Sequence, residues 1–350
     1  MSVATKDWKL LEVRPVPVGA TRVVCVANQK GGVAKTTTSV NLAAALAQRG
    51  HRTLVVDVDP QGNATTGVGI DRGAVERSSY DLLTGAATLD DTAYPTAVDG
   101  LDCVPATVDL AGAEIELVGS LAREHKLAEA LAGAAGAYSV VFLDCPPSLG
   151  LLTINALVAA QDLIVPVQCE YYALEGLGQL LNTAERVRRS LNPELRISGV
   201  LLTMYDARTK LSSQVSDEVR AHFGDLVFKS VIPRSVRLSE APSFGEPVIT
   251  LDPTSRGSIS YKLLAAELEA RYRLAPRTDA RSSSHAITQT HAQEPHGSET
   301  SADRPATPGP GGRGYGTVTA EPDGLRDAWP RAEPWSSDIG DAVVTARRRD

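Results

Sequence analysis

Residues 28–38 of this chain read NQKGGVAKTTT, and this stretch decides the fold. An apolar run, residues 22–27 (RVVCVA), precedes it, and a segment of small residues with a helical pattern, 40–48 (VNLAAALAQ), follows it. A glycine-rich turn between a strand and a helix directs successive backbone N–H groups and the positive end of the helix toward one anion. The stretch therefore predicts a binding site for the phosphates of a nucleoside triphosphate.

The loop departs from the general P-loop pattern G-x-x-x-x-G-K-[ST], because Gln29 and Ala34 occupy its two glycine positions. The residues present, K-G-G-V-A-K-T-T, resemble instead the deviant Walker A loop of the ParA/MinD class of P-loop ATPases, K-G-G-x-G-K-[ST]. The resemblance implies that Lys35 binds the β and γ phosphates and that Thr36 ligates Mg²⁺. It implies that Lys30 reaches across a dimer interface to the nucleotide of the other subunit. Nucleotide binding is thereby assigned to the whole loop: Lys30, Gly31, Gly32, Val33, Ala34, Lys35, Thr36 and Thr37.

Ala34 stands where the family has glycine. Its methyl group lies close to the expected phosphates, and we expect the loop to require here a backbone angle that alanine disfavours. The expected consequence is a formed phosphate cradle with slowed turnover.

Two carboxylates end the second apolar run, in the segment 54–63 (LVVDVDPQGN). Asp57 and Asp59 alternate along a strand and therefore share one face, at the sheet edge where ligands of open α/β folds collect. The segment resembles the D-x-D-P-Q-G-N sequence of ParA proteins. The resemblance implies that Asp59 positions the attacking water and that Asp57 lies nearer the Mg²⁺. Two aspartates that cap the turn before Gly62 are the alternative.

A third carboxylate, Asp144, ends the apolar run 139–144 and is followed by CPPS. A strand that ends in one acid places a carboxylate beside the phosphates, where it can hold Mg²⁺ directly or through water. The run LDCPPSLGLLTINAL resembles the switch segment of ParA proteins. The predicted metal site comprises Thr36, Asp57 and Asp144. The predicted catalytic residues are Lys30, Lys35 and Asp59.

Two later segments, 201–209 (LLTMYDART) and 232–243 (IPRSVRLSEAPS), also follow the family pattern. In the family, the loop around Pro233 lies against the adenine base, and arginines matching Arg208 and Arg237 bind DNA without sequence preference. Arg234 adds a cation of the kind that contacts phosphates without reading bases. Because the chain is acidic overall, these charges suffice only if dimerisation pools them. Solvated loop charges are the alternative.

Apolar runs alternate with helical stretches from residue 22 onward, the pattern of an α/β fold with a mostly parallel central sheet and helices on both faces. The predicted strands are 22–27, 53–58, 101–105, 139–143, 163–167, 197–203 and 226–232. The predicted helices are 35–49, 110–118, 124–135, 149–160, 174–191, 212–223 and 258–272. With the deviant Walker A loop, this pattern indicates a P-loop NTPase.

Composition separates this region from the two ends of the chain. Residues 1–20 are polar and aperiodic, which predicts a flexible extension, and residues 275–350 are rich in Pro, Gly, Ser and Thr, which predicts a disordered tail. Residues 21–274 are the expected ATPase domain.

The 350 residues carry a formal charge of −7, and residues 1–274 hold 26 basic and 31 acidic side chains. This balance excludes a protein whose entire surface attracts nucleic acid. Four cysteines without C-x-x-C pairing are typical of buried free thiols, and no run reaches the length of a membrane span. The cytoplasm is the expected compartment.

The resemblance covers residues 23–272 and implies an ATPase with ATP as substrate and Mg²⁺ as cofactor. It implies a homodimer that forms on ATP, binds nonspecific DNA of the nucleoid and is reset when a ParB-type centromere-binding protein stimulates hydrolysis. Such a cycle would segregate chromosome or plasmid copies. Two rivals stay open: a membrane-positioning ATPase of the MinD type, and a metabolic ATP-dependent ligase that shares the loop. The last twenty residues carry too little apolar face for the membrane helix of the MinD type, so no membrane partner is expected.

Overall fold

A computed structural model describes residues 20–170 and 175–274. In this part of the chain, seven strands form one sheet in the order β3-β4-β2-β5-β1-β6-β7. Neighbouring strands run parallel except for β3 and β4. The strands are β1 (Arg22–Val26), β2 (Thr53–Asp57), β3 (Tyr94–Pro95), β4 (Leu101–Val104), β5 (Val140–Asp144), β6 (Asp162–Gln168) and β7 (Arg196–Thr203). The predicted extension before residue 20 and the predicted tail lie outside the described residues.

Helices cover both faces of this sheet, and successive residues of β1, β2 and β5 therefore enter different apolar cores. Val23 and Cys25 of β1 belong to one apolar cluster, and Val24 and Val26 belong to the other. This arrangement confirms the predicted α/β fold class. The helices of the described residues are α1 (Lys35–Ala47), α2 (Asn63–Gly67), α3 (Ser79–Thr84), α4 (Leu89–Thr92), α5 (Leu110–Glu116), α6 (Lys126–Ala130), α7 (Leu151–Ala159), α8 (Glu175–Ser190), α9 (Lys210–Phe223), α10 (Val236–Glu240), α11 (Val248–Leu251) and α12 (Arg256–Tyr272).

The predicted strand at 226–232 is wrong. The segment runs beside β7 but makes a single isolated bridge, Val227 with Val200, and Pro233 just after it bridges to Tyr205. The backbone N–H groups of Lys229 and Ser230 instead donate to the Glu267 carboxylate, at 2.8 and 2.9 Å. A side chain of α12 thus takes the donors that a continuous ladder would need.

The region between β2 and β4 holds short elements that the sequence pattern did not predict. Both α3 and α4 begin with capping boxes, Ser78 with Asp81 and Thr88 with Asp91. Each helix has six residues or fewer, which is too short for hydrophobic periodicity to be read. The predicted helix 124–135 is likewise divided into α6 and two flanking 3₁₀ turns.

The carboxyl ends of β1, β2 and β5 lie side by side at one edge of the sheet. Asp144 pairs in register with Val26 on one side and with Asp57 on the other. The loop after β1, the carboxylates of β2 and the carboxylate of β5 therefore meet at one place, as ligand-binding residues do in open α/β folds.

Candidate nucleotide site

The loop between β1 and α1 forms an open cradle. Helix α1 begins at Lys35 without a side-chain cap, so the N–H groups of its first turn are left for a ligand. The cradle borders a cavity of about 380 Å³. Val33 is buried, and its carbonyl accepts a hydrogen bond from Thr203 Oγ1 at 3.1 Å. The loop residues that line the cavity are Gly31, Gly32, Ala34, Lys35, Thr36 and Thr37.

Two residues of the cradle have left-handed backbone angles. Gly32 has a φ of 72° and Ala34 a φ of 67°, which confirms the expectation that position 34 requires an angle unfavourable for alanine. A Cβ atom built on Gly31 or Gly32 would meet nothing within 4 Å. The space beside these glycines is thus free for the close approach of phosphate to backbone.

Lys35 brings a positive charge into the cradle. Its ammonium donates to the carbonyl oxygen of Lys30 at 3.3 Å, which folds the side chain back over the loop. Burial lowers the pKa of Lys35, while the nearby Asp144 and Asp59 oppose that shift. A polyphosphate bound here would supply the negative charge that stabilises this ammonium.

Asp144 lies beneath the cradle and is fully buried. Its carboxylate accepts hydrogen bonds from Thr36 Oγ1 at 2.7 Å and from Ser39 Oγ at 2.9 Å. Burial raises the pKa of Asp144, and Asp57 raises it further. A buried carboxylate beside a hydroxyl is a donor set of hard oxygens, which suits Mg²⁺.

Asp57 and Asp59 occupy different environments. The fully buried Asp57 accepts hydrogen bonds from the Thr65 hydroxyl at 2.7 Å, the Thr65 N–H at 2.8 Å and the Asp59 N–H at 3.2 Å. These bonds attach the start of α2 to the end of β2. Asp59 lines the cavity, so it is the carboxylate of this pair whose side chain can meet a ligand there. Burial raises the pKa of Asp57.

Lys30 is not among the residues that line the cavity. Its side chain is turned toward Glu170, and the ammonium and carboxylate are 3.8 Å apart. Glu170 also pairs with Arg234 at 3.0 Å. One carboxylate therefore holds both the lysine predicted to cross a dimer interface and an arginine predicted to bind DNA.

Residues that follow β7 also line the cavity. Met204 lines it in a left-handed conformation with a φ of 51°. Pro233 is half-buried and pairs with Tyr205, but it does not line the cavity, which is bordered by residues that follow it. Those residues are Leu238, Ala241, Pro242, Glu246 and Pro247.

The predicted DNA-binding arginines lie on neighbouring segments, Arg208 and Arg234 on loops and Arg237 in α10. The Tyr205–Pro233 bridge and the hydrogen bond from the Arg234 N–H to the Tyr205 carbonyl place the loop of Arg208 beside the loop of Arg234, which leads into α10. Each side chain is more than half exposed, and each pairs with a carboxylate of its own chain. Arg208 lowers the pKa of its partner Asp206 through their hydrogen bonds. The nearest carboxylates are Asp206 for Arg208, Glu170 for Arg234, and Glu240 and Asp252 for Arg237.

Sequence reasoning missed several residues of the site. Ser39 contacts Asp144 one helical turn after Lys35, and its spacing in KTTTS was the available signal. Gln61 and Asn63 line the cavity beyond Asp59. Both belong to a quoted family segment, so the resemblance could have included them.

Comparisons with known proteins agree with this geometry. A family model described as "AAA domain" matches residues 21–197. The sporulation initiation inhibitor protein Soj of Bacillus subtilis (strain 168) is 57% identical over 249 residues, which cover 71% of this chain and 98% of that protein. The chromosome partitioning protein ParA of Caulobacter vibrioides (strain NA1000 / CB15N) is 55% identical over 254 residues, 72% of this chain and 95% of that protein. The chain belongs to the ParA/Soj family of chromosome-partitioning ATPases.

Among the similar solved structures, some carry nucleotide and metal. Cobyrinic acid a,c-diamide synthase from Mycobacterium smegmatis, with bound ADP and magnesium, has a TM-score of 0.64 and 41% identity, and the match covers 72% of this chain and 96% of that one. A protein of the ParA/Soj family is a P-loop ATPase that uses ATP and Mg²⁺, and the cradle, Lys35 and the Thr36–Asp144 pair are suited to them. No helix of the described residues is long and apolar enough to span a membrane.

Proposed function

We propose that this partitioning ATPase works as an ATP-dependent dimer switch. ATP binding joins two subunits face to face, the dimer holds nonspecific DNA on the nucleoid, and hydrolysis returns the subunits to monomers. A ParB-type protein bound at centromere-like DNA stimulates hydrolysis, and the cycle segregates chromosome or plasmid copies. The observation that carries the proposal is the division between the two lysines: Lys35 lies over the cradle, and Lys30 is directed out of it.

The residues of the site take distinct roles in this proposal. The backbone N–H groups of the cradle and Lys35 bind the phosphates, and Thr36 with Asp144 holds Mg²⁺, which would withdraw charge from the phosphate oxygens. Asp59 orients the attacking water from the cavity wall. Asp57 keeps Asp59 in place through its hydrogen bonds to Thr65 and to the Asp59 N–H. Hydrolysis then needs no covalent intermediate on the protein.

In this proposal DNA binding requires the dimer, because one subunit carries a net negative charge that repels DNA phosphates. We call Arg208, Arg234 and Arg237 the arginine cluster of the proposal: all three are exposed, and each pairs with a carboxylate that offsets much of its charge. A dimer doubles the cluster, and DNA phosphates replace the carboxylates as partners. The affinity should therefore depend on ATP and fall steeply with salt.

Retention on nonspecific duplex DNA tests the proposal with ATP, with ADP and over a series of salt concentrations. We expect retention with ATP alone, a steep loss with salt, and loss in Lys30→Ala and in Arg237→Glu. Arg186→Glu, at an exposed position of α8, is the charge-matched control and should retain DNA. Binding that is equal in ADP, or that ignores salt, would contradict the proposal.

A metabolic role is the second candidate, because one similar structure is a cobyrinic acid a,c-diamide synthase. ATPase assays with DNA, and separately with cobyrinic acid and glutamine, distinguish the two functions. Turnover that rises with DNA and a ParB-type partner supports partitioning. Turnover that requires cobyrinic acid and produces its amide supports the synthase.

A further inference from the structure

Helix α5 and the turns on either side of it present apolar side chains to solvent. We define the apolar stripe as Val108, Ala111, Ile115, Val118 and Leu121. The four larger members have exposed fractions of 70, 80, 60 and 91%, in chain order. From Val108 to Val118 the spacing is three or four residues, which is the spacing of one helix face.

The apolar stripe is not the face that α5 buries. Leu110, Ala113 and Leu117 point the other way and are almost fully buried in the core. The helix is thus apolar on two opposite sides, and the described part of the chain covers one. Large aliphatic side chains left exposed along one face are typical of a protein-binding surface.

Charge around the apolar stripe restricts what can cover it. Asp109, Glu114 and Glu116 flank it, and residues 107–121 contain no lysine, arginine or histidine. A membrane with anionic headgroups would be repelled by these carboxylates. A second copy docked through the same face would bring two sets of carboxylates together.

We propose that the apolar stripe binds a basic, amphipathic segment of a partner protein. Apolar side chains of the segment would cover Ile115 and Val118, and its lysines or arginines would pair with the flanking carboxylates. The proposal rests on the proposed function in one respect: it takes this partner to be the protein that stimulates hydrolysis.

The position of α5 gives such a partner access to the site. The Glu114 carboxylate accepts a hydrogen bond from the Leu152 N–H at 3.4 Å, at the start of α7. Residues 145–150, which join the end of β5 to α7, include Pro147, which lines the nucleotide cavity. A segment bound along α5 would thus lie beside the start of α7, where the loop that follows Asp144 ends.

The test uses the full chain without nucleotide or DNA and a fluorescent synthetic peptide of leucine and lysine with leucines at helical spacing. We expect this peptide to bind, and a peptide with glutamate in place of lysine not to bind. Ile115→Ser with Val118→Ser should weaken binding about tenfold or more, because two buried aliphatic contacts are lost. Ile259→Ser with Leu263→Ser, at exposed aliphatic positions of α12, is the matched control and should change binding less than about twofold.

Several results would overturn the proposal. Equal loss in the α12 control would show unspecific adsorption, and binding that appears only after removal of residues 275–350 would make that segment the occupant. A nucleotide-free dimer in sedimentation, abolished by the stripe substitutions, would make a second copy the occupant. Because the assay contains neither ATP nor DNA, failure here leaves the DNA-retention test of the proposed function unaffected. A separate ATPase assay adds the ParB-type protein. Equal stimulation of the stripe variant and the unaltered chain would show that this protein does not act through the apolar stripe.

Discussion

Ala34 holds a left-handed angle that costs an alanine about 1–2 kcal/mol, and its methyl group faces the nucleotide cavity. Ala34→Gly relieves this strain but gives the unfolded chain more freedom, so we expect a net gain in unfolding free energy of about 0.5 kcal/mol. We also expect faster single-turnover hydrolysis, because the methyl group no longer restricts the phosphates.

Ala122→Gly is the matched control for this substitution. Ala122 has a φ of 51° and lies outside the cavity lining, so the change should affect stability without affecting hydrolysis. Chemical denaturation and single-turnover assays measure the two effects. An unchanged rate in Ala34→Gly would show that the loop accommodates alanine freely.

Glu170 holds Lys30 and Arg234 on their own subunit, and the proposed function needs both for other partners. Glu170→Gln removes the charge that retains them. Pairs as exposed as these contribute little energy, so we expect the ATP concentration at half-dimerisation to fall about two- to fivefold. Sedimentation over an ATP series measures it, with Glu194→Gln, which breaks the Arg196 pair, as control. A higher midpoint would show that Glu170 instead positions Lys30 for the dimer.

Elements with long apolar periods could be predicted from the sequence, and elements fixed by local capping could not. Strands β1, β2 and β5 are buried on both faces, so their continuous apolar runs gave their positions. Helices α3 and α4 depend on the capping boxes at Ser78 and Thr88. The segment 226–232 has the composition of a strand, but Glu267, distant in sequence, takes its donors. A contact between residues so far apart in the chain cannot be predicted from the sequence of the segment itself.

The junction of β5 and α1 has a pH dependence that follows from the burial of Asp144. Its pKa is raised in the folded chain, so ionisation disfavours folding, and stability is lost as pH rises from the unfolded pKa through the folded one. The nucleotide-free protein should therefore melt at a lower temperature at about pH 8 than at about pH 6. Asp144→Asn should reduce this difference, because the amide stays neutral and can still bond Thr36 and Ser39.

Thermal unfolding in a chelating buffer measures this effect. Asp90→Asn, at an exposed position of α4, is the control and should leave the pH difference unchanged. Asp144→Asn should also lose the stabilisation that Mg²⁺ and ATP confer on the unaltered chain at the higher pH. If the melting temperature of Asp144→Asn still changed with pH as in the unaltered chain, a group other than Asp144 would cause the pH dependence.

At the scale of the whole molecule, the sequence indicated which residues meet but not how they pair. That Lys35, Asp59 and Asp144 lie close together could be predicted from motifs, because parallel strands end at one edge of the sheet. Their roles in catalysis and metal binding stay predictions. The shared partner of Lys30 and Arg234 could not, since Glu170 comes from a third segment. The exposure of one apolar side of α5 could not be predicted either, because its residues are of the same types as core residues.

The sheet, the two apolar cores and the nucleotide cavity of the described residues all lie between residues 20 and 274. A chain that ends at residue 274 should therefore keep basal ATPase activity and melting temperature. Removal of helix α12 as well should prevent folding. This helix buries Tyr261, Leu264 and Leu268, and the Tyr261 hydroxyl bonds Thr38 of α1 at 3.1 Å. A chain that ends at residue 255 loses these buried side chains, and burial of each apolar one contributes about 1.5–3 kcal/mol. Such a chain should not fold. Calorimetry and ATPase assays of the two truncated chains beside the full chain measure this, and loss of basal activity in the longer one would extend the functional domain beyond residue 274.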